Sequence, residues 1–249
     1  MDPRLAFCVE TAFLAGRSTL ALYQTGAVAQ LKADQSPVTE ADKRAEEIVR
    51  TRIEATYPGE TVLGEEEGLK GEALDRWVID PIDGTKSFVA GVPLYATLLS
   101  YEWDGKPIFA ACYLPALDEM YFAQQGKGAF MNGRPIHASG TKRLEDSLLL
   151  SGSYKSMKEK GRLAGWTKLA EVARMTRGWS DAFGHMMVAS GRADIMVDPS
   201  LAHWDVSAPS LIVREAGGSF TDFMGGEALS TEAISCAPAL LPHVLEAFR

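Results

Sequence analysis

An apolar run ends abruptly in two carboxylates three positions apart, in Trp77-Val78-Ile79-Asp80-Pro81-Ile82-Asp83-Gly84-Thr85-Lys86-Ser87-Phe88. Open α/β sheets build their sites at strand ends of this kind. Pro81 fixes the chain so that Asp80 and Asp83 can face one point, Gly84 permits close backbone approach, and Thr85 offers a hydroxyl. A helix beginning here would add free N–H groups, making an anion site beside the carboxylates. Fifteen residues before Asp80, Gly64 is followed by Glu65-Glu66-Glu67. Three adjacent carboxylates repel one another, and most such runs are solvated acidic loops. A strand end, a glycine and a second acidic strand end nearby favour metal binding here, with Glu65 first in line. Asp205, just before a helix expected over Val206–Ala216, is on its own an N-cap. Grouped with Glu65, Asp80 and Asp83 it becomes a fourth candidate ligand. Oxygen donors without a paired His or Cys suit a hard cation, Mg²⁺ or Mn²⁺.

Charge then dictates chemistry. The carboxylates of Glu65, Asp80, Asp83 and Asp205 would repel a phosphate unless divalent cations intervened. Two Mg²⁺ cancel those charges, and a third leaves the pocket positive. Metals beside an anion site mean phosphate chemistry, in which a cation acidifies water and stabilises both oxygens of an in-line displacement. Other phosphatase designs fail on spacing: Asp80 and Asp83 are one residue too far apart for an aspartyl-phosphate pair, and no Cys is followed by an arginine six residues on. No P-loop, dinucleotide fingerprint or nucleophile elbow occurs. His137, His185, His203 and His243 are scattered and form no zinc pair, which favours a structural or surface role for each over an approach of His185 or His203 to the pocket.

These residues need a scaffold. Asp2-Pro3 opens a long helix carrying Leu5, Val9, Ala12, Phe13, Gly16, Leu20 and Tyr23 at helical spacing. Thr39-Glu40-Ala41-Asp42 has capping-box form and starts a second helix that Tyr57-Pro58-Gly59 stops. Short strands follow at Thr61–Leu63, Trp77–Ile79, Ala96–Tyr101, Ile108–Tyr113, Glu119–Ala123 and Ala129–Met131, reading as an antiparallel meander. Beyond about residue 138 strands at Ser147–Ser151, Ala193–Val197, Ser219–Thr221 and Ile234–Ser235 alternate with helices around Leu163–Ala173, Asp181–Ser190, Val206–Ala216 and Pro238–Phe248. Two closely packed domains are expected, 1–138 and 139–249, with a cleft between them.

Composition excludes several partners. With 25 basic and 33 acidic residues the net charge is −8, and 46% of the 249 residues are apolar. No basic cluster provides a footprint for nucleic acid or a membrane surface, and no apolar run reaches the ~18–20 residues of a membrane span. Cys8, Cys112 and Cys236 are widely spaced among apolar neighbours, which fits buried free thiols in a cytoplasmic protein without a signal peptide. A small phosphorylated metabolite is the expected partner.

Gly64-Glu65-Glu66, Asp80-Pro81-Ile82-Asp83-Gly84-Thr85 with Phe88, and Trp204-Asp205 followed by Glu215-Ala216-Gly217-Gly218 together resemble the inositol monophosphatase family of Mg²⁺-dependent, lithium-sensitive phosphatases. The resemblance covers nearly the whole chain. It implies an α/β fold, a layered αβαβα sandwich, and a homodimer as assembly. It implies two or three Mg²⁺ per site, replaceable by Mn²⁺, held by Glu65, Asp80, the Ile82 carbonyl, Asp83 and Asp205. Glu65, Thr85 and Asp42 would be the catalytic set, with Asp42 pairing the Thr85 hydroxyl to orient water, a role that can coexist with helix capping. Asp83, Gly84, Thr85, Asp181, Asp198 and Asp205 would bind substrate. Within the family, Pro37-Val38-Thr39-Glu40-Ala41-Asp42, Asp83-Gly84-Thr85-Lys86-Ser87-Phe88, Gly91-Val92-Pro93-Leu94 and Leu114-Pro115 look like the histidinol-phosphatase branch, whereas Gly178-Trp179-Ser180-Asp181 is bulkier than that branch's usual Gly-Gly-Asp run. Asp198 stands where inositol-specific members carry a glutamate. Asp198 and Asp181 could accept hydrogen bonds from the ammonium and imidazole of L-histidinol phosphate, and each is equally readable as a turn or cap residue. An inositol or sugar phosphatase is the alternative, and a non-catalytic metal-binding relative a weaker one, because the acidic set is intact.

Overall fold

The computed structural model of the chain describes residues 1–26, 29–31 and 37–249. Helix α1 (Pro3–Thr19) starts where expected, with Asp2 accepting the Arg4 amide, and ends before Leu20 and Tyr23. Gln30–Leu31 (β1) and Pro37–Val38 (β2) form a small ribbon leading into α2 (Glu40–Thr56). The capping box at Thr39 and Asp42 is present, an arrangement worth about 1 kcal/mol.

The first large sheet contains β3 (Thr61–Gly64), β4 (Gly68–Lys70), β5 (Arg76–Asp83), then, after the short helix α3 (Thr85–Val89), β6 (Ala96–Trp103), β7 (Lys106–Leu114), β8 (Glu119–Gln124), β9 (Ala129–Met131) and β10 (Arg134–Ile136). From β5 to β10 each strand pairs antiparallel with the next, the expected meander. The beginning differs. β3 runs parallel to β5, with Gly64 opposite Ile79, while β4 folds back along the outer edge of β3.

The second sheet has the order β12-β11-β13-β15-β14, built from β11 (Leu148–Ser151), β12 (Met175–Arg177), β13 (Ile195–Asp198), β14 (Ser219–Thr221) and β15 (Ala233–Cys236). Helices α4 (Tyr154–Glu159), α5 (Leu163–Val172), α6 (Asp181–Ala189), α7 (His203–Glu215) and α8 (Leu241–Ala247) accompany it. Strand β12 and helix α4 were not expected; both are short, and their apolar residues show no sustained period. The C-terminal helix is shorter than expected because Pro238–Leu240 forms a separate tight turn.

Alternation along the strands produces the layering. Ile79, Leu99 and Ala111 pack under α1 and α2 with Cys8, Ala12, Ala45 and Val49. Their neighbours Leu98, Ala110 and Cys112 point the other way, into a core shared with Met186 and Val188 of α6, Val206 and Ile212 of α7, and Leu150 and Met196 of the second sheet. Leu149, Ile195 and Val197 face outward onto Met157, Leu169 and Val244 from α4, α5 and α8. The order is therefore helix, sheet, helix, sheet, helix. Helices α6 and α7 are buried between the sheets, so their N-termini, and the acids on them, are fixed from both sides.

Candidate active site

β5 carries its two acids on a distortion. Asp80 points with Val78 toward the α6–α7 layer, and the register with β6 shifts between Asp80 and Asp83. The bulge around Pro81 lets both carboxylates face inward, and both are buried. The parallel β3–β5 pairing brings Glu65 alongside, its amide donating to the Ile79 carbonyl at 3.3 Å. Asp205 arrives from the opposite layer. Ligand atoms of Asp80, Asp83 and Asp205 lie within 4.8 Å of one another.

Asp205 is not the N-cap that its sequence position suggested. α7 begins two residues earlier, at His203, which puts Asp205 in the third helical position, where its Oδ2 accepts the Ala202 amide at 2.7 Å. A carboxylate reaching back to the cap residue satisfies a free donor of the first turn, and the other oxygen remains for the site.

Burial pushes the Asp80 carboxyl well above the ordinary range, with Glu65, Asp83 and Asp205 adding repulsion. Asp83 is raised by burial and by Asp181 and Asp205, and Asp205 is pushed up to about 6 mainly by burial. Asp80 Oδ1 is buried with no hydrogen-bond partner. Converging acids that repel one another and an orphaned carboxylate oxygen are what a divalent cation would relieve. The residues present fit a hard metal ion.

The turn at Gly84 has the backbone that close approach requires. Gly84 adopts φ 82° as the cap of α3, a conformation that favours glycine, and a Cβ there would meet the Leu94 carbonyl and Asp181 Oδ2 at 3.1 and 3.2 Å. Thr85 opens α3, but its hydroxyl donates to the Ile82 carbonyl at 3.0 Å. The Asp42–Thr85 pairing is therefore not made: Asp42 Oδ2 accepts the Thr39 amide at 2.7 Å and the Thr39 hydroxyl at 2.6 Å, and Oδ1 is buried without a partner. Capping wins locally because Thr39 is three residues away on the same turn. The second oxygen is left over.

Asp181 and Asp198 flank the trio. Asp181 is the first residue of α6, held at φ 57°. Asp198 ends β13, accepts the Ser200 amide at 3.2 Å, and is pushed up to about 8 by burial, Asp181 and Asp205. Such a carboxyl would gain from a cationic partner supplied by a ligand.

Two supporting acids were missed in the sequence. Glu46, wholly buried on α2, accepts the amides of Glu66 and Glu67 at 2.8 and 3.1 Å and pairs with Arg50. It fills the space where a side chain at residue 64 would be, which explains Gly64. Glu102 on β6 is also fully buried and receives Arg76, Ser207 and, at 2.7 Å, His203 Nε2. That network clamps the start of α7 to β5 and β6. Only the unusual burial of an acid distinguishes either residue, and burial is not written in spacing. His185 lies inside the α6 layer, bonded to Ser235 at 2.6 Å.

The comparisons with known proteins agree with this fold. The family model described as the inositol monophosphatase family matches residues 1–249. A histidinol-phosphatase from Chlorobaculum parvum is 39% identical over 92% of this chain and 89% of its own. An inositol-1-monophosphatase from Mesorhizobium japonicum is 36% identical over 79% of this chain and 76% of its own. The crystal structure of the extragenic suppressor protein suhB from Bartonella henselae superposes with a TM-score of 0.92 at 30% identity, covering 99% of this chain and 98% of that one. Motifs, layer order and acidic centre thus converge, and the chain belongs to the inositol monophosphatase family, as a phosphoric monoester hydrolase.

Proposed function

We propose that the chain is a Mg²⁺-dependent histidinol-phosphate phosphatase, releasing L-histidinol and phosphate. The observation that carries the substrate is the pair of acids, buried Asp198 and half-buried Asp181, beside the phosphate cradle and outside the Asp80–Asp83–Asp205 trio. A leaving group with an ammonium gives such acids a partner of opposite charge, whereas the hydroxyls of inositol offer hydrogen bonds without a compensating charge. The likeness to a relative named histidinol-phosphatase supports the same choice.

Glu65, Asp80, the Ile82 carbonyl, Asp83 and Asp205 would hold two or three Mg²⁺. Bound cations supply charge neutralisation and the Lewis acidity that lets water attack phosphorus at neutral pH. The amides of Gly84 and Thr85 hold the phosphate oxygens, with the positive end of α3 behind them. Asp42 Oδ1, lacking a partner, orients the attacking water together with Thr85 once the threonine hydroxyl turns from Ile82, and Glu65 lies across from it as a second acceptor. Attack forms a new P–O bond opposite the leaving oxygen, the P–O bond to histidinol breaks, and the water proton ends on the departing alkoxide. Residues 1–138 supply the cradle and most ligands, and residues 139–249 supply Asp205 and the leaving-group contacts.

The test is Mg²⁺-dependent phosphate release from L-histidinol phosphate, inositol 1-phosphate, fructose 1,6-bisphosphate and adenosine 3′,5′-bisphosphate in parallel. A kcat/KM at least tenfold higher for histidinol phosphate is expected. A clear preference for inositol 1-phosphate would replace this reading with that of an inositol phosphatase.

A further inference from the structure

The second sheet carries a cavity that the chemistry above does not use. It occupies about 250 Å³ and is lined by Ser151, Gly152, Met157, Trp166, Thr176 and Arg177, with Tyr154 at its side. Ser151 and Arg177 are the last residues of β11 and β12, and Asp198 is the last of β13. These three strands run parallel, so the cavity and Asp198 sit at the same ends, where open α/β sheets bind ligands. A Cβ at Gly152 would lie 3.4 Å from Asp198 Oδ2. The glycine thus leaves the carboxylate adjacent to the cavity with no side chain between them.

The volume is below the ~300 Å³ at which pockets for drug-sized ligands begin. A single small ring is what it can accept. Its walls are the indole of Trp166, the phenol of Tyr154 and the thioether of Met157, suited to the faces of a planar aromatic ring. Trp166 Nε1 is buried and has no hydrogen-bond partner, a costly state for a donor. Ser151 and Thr176 bring hydroxyls that can accept. Arg177, whose Nη1 donates to the Thr176 carbonyl at 2.7 Å, disfavours a second positive charge.

We propose that this cavity is the ring subsite of the leaving group: it takes a small, neutral aromatic heterocycle whose lone-pair nitrogen receives the Trp166 indole N–H, while Asp198 beside it holds the ammonium of the same molecule. The proposal rests on the histidinol-phosphate reading of the site. A neutral imidazole has one acceptor nitrogen and one N–H, matching one orphaned donor and the hydroxyls of Ser151 and Thr176 in the same lining. An inositol ring, puckered and with a hydroxyl on every carbon, has no planar aromatic face to set against the Trp166 indole.

Two measurements test it. The Trp166→Phe variant keeps a ring and deletes the donor, and it identifies one of the five indole N–H resonances in a ¹⁵N spectrum. Titrating the wild-type protein with imidazole alone should shift that resonance. In kinetics, Trp166→Phe should lower kcat/KM about tenfold for L-histidinol phosphate and leave 2-aminopropyl phosphate, which has the amine but no ring, within twofold. Equal losses on both esters, or a resonance that neither imidazole nor L-histidinol with phosphate moves, would overturn the subsite. If imidazole shifts the resonance but the wild-type enzyme shows no preference for the ring-bearing ester, the leaving-group assignment and the histidinol-phosphate reading fall together, and a heterocycle site remains. Should Trp166→Phe not fold, Thr176→Leu, on the edge strand β12, removes an acceptor and adds bulk to the cavity. The same selective loss is expected.

Discussion

Asp83 Oδ2 accepts the backbone N–H of Ala182 at 2.6 Å, across 99 residues of sequence. The bond ties the end of β5 to the first turn of α6, so the acid facing the metal centre also fixes the height of Asp181 above Gly84. The turn at Gly84 and the start of α6 are therefore joined directly.

Asp83→Asn keeps that acceptor and removes the charge. The protein should fold with undiminished stability, because a repelled, buried carboxylate has gone, while kcat falls by at least ~10²-fold, the scale of losing one strong electrostatic contact in a dry site. Denaturant melts and steady-state kinetics at saturating Mg²⁺ measure both. Near-normal turnover would reduce Asp83 to a turn residue.

Metal removal should be visible in stability as well as activity. The raised carboxyls of Asp80, Asp83 and Asp205 mean that a bound cation relieves repulsion in the folded state alone. At a hundred times its Kd, Mg²⁺ should stabilise by about 2.7 kcal/mol, raising Tm by roughly 5–10 °C in a chain of this size. Chelation should abolish phosphate release and reverse the Tm shift, with Mg²⁺ or Mn²⁺ restoring both. A Tm indifferent to Mg²⁺, with activity that survives chelation, would remove the metal centre from the account.

Asp198→Asn separates substrate choice from chemistry. Weakening a charge-assisted contact worth roughly 1.5–3 kcal/mol should lower kcat/KM for histidinol phosphate about 10–100-fold. p-Nitrophenyl phosphate has no amine and should be nearly unaffected. Equal losses on the two substrates would show that Asp198 supports the fold or the metal centre.

His185 makes stability fall in mild acid. Burial lowers its pKa from 6.5 to about 4, so between these values the unfolded chain binds a proton that the folded protein refuses. Stability is lost as pH falls from 6.5 toward 4 and is unaffected by this group above that window. Between pH 7.5 and pH 5 the wild type should lose about 2 kcal/mol more than His185→Gln, in which an amide can still bond Ser235. Urea unfolding at both pH values checks this. Parallel curves would place the proton elsewhere.

What could act was legible in the chain itself, because strand ends, caps and turn residues are decided within a few neighbours. Asp80 and Asp83 at the end of an apolar strand, Asp42 in its capping box and Asp181 at a helix start all stand where local chemistry put them. Tertiary structure decided which of them meet. The parallel pairing of β3 with β5 brings Glu65 beside Asp80, and only the core shared by both sheets carries Asp205 to the trio. Glu46 and Glu102 look in sequence like ordinary solvated acids, since nothing within one turn reveals that a distant glycine or arginine will bury them. Pairing across tens of residues is set by the global fit of two sheets around α6 and α7, a quantity that no window of neighbouring residues contains.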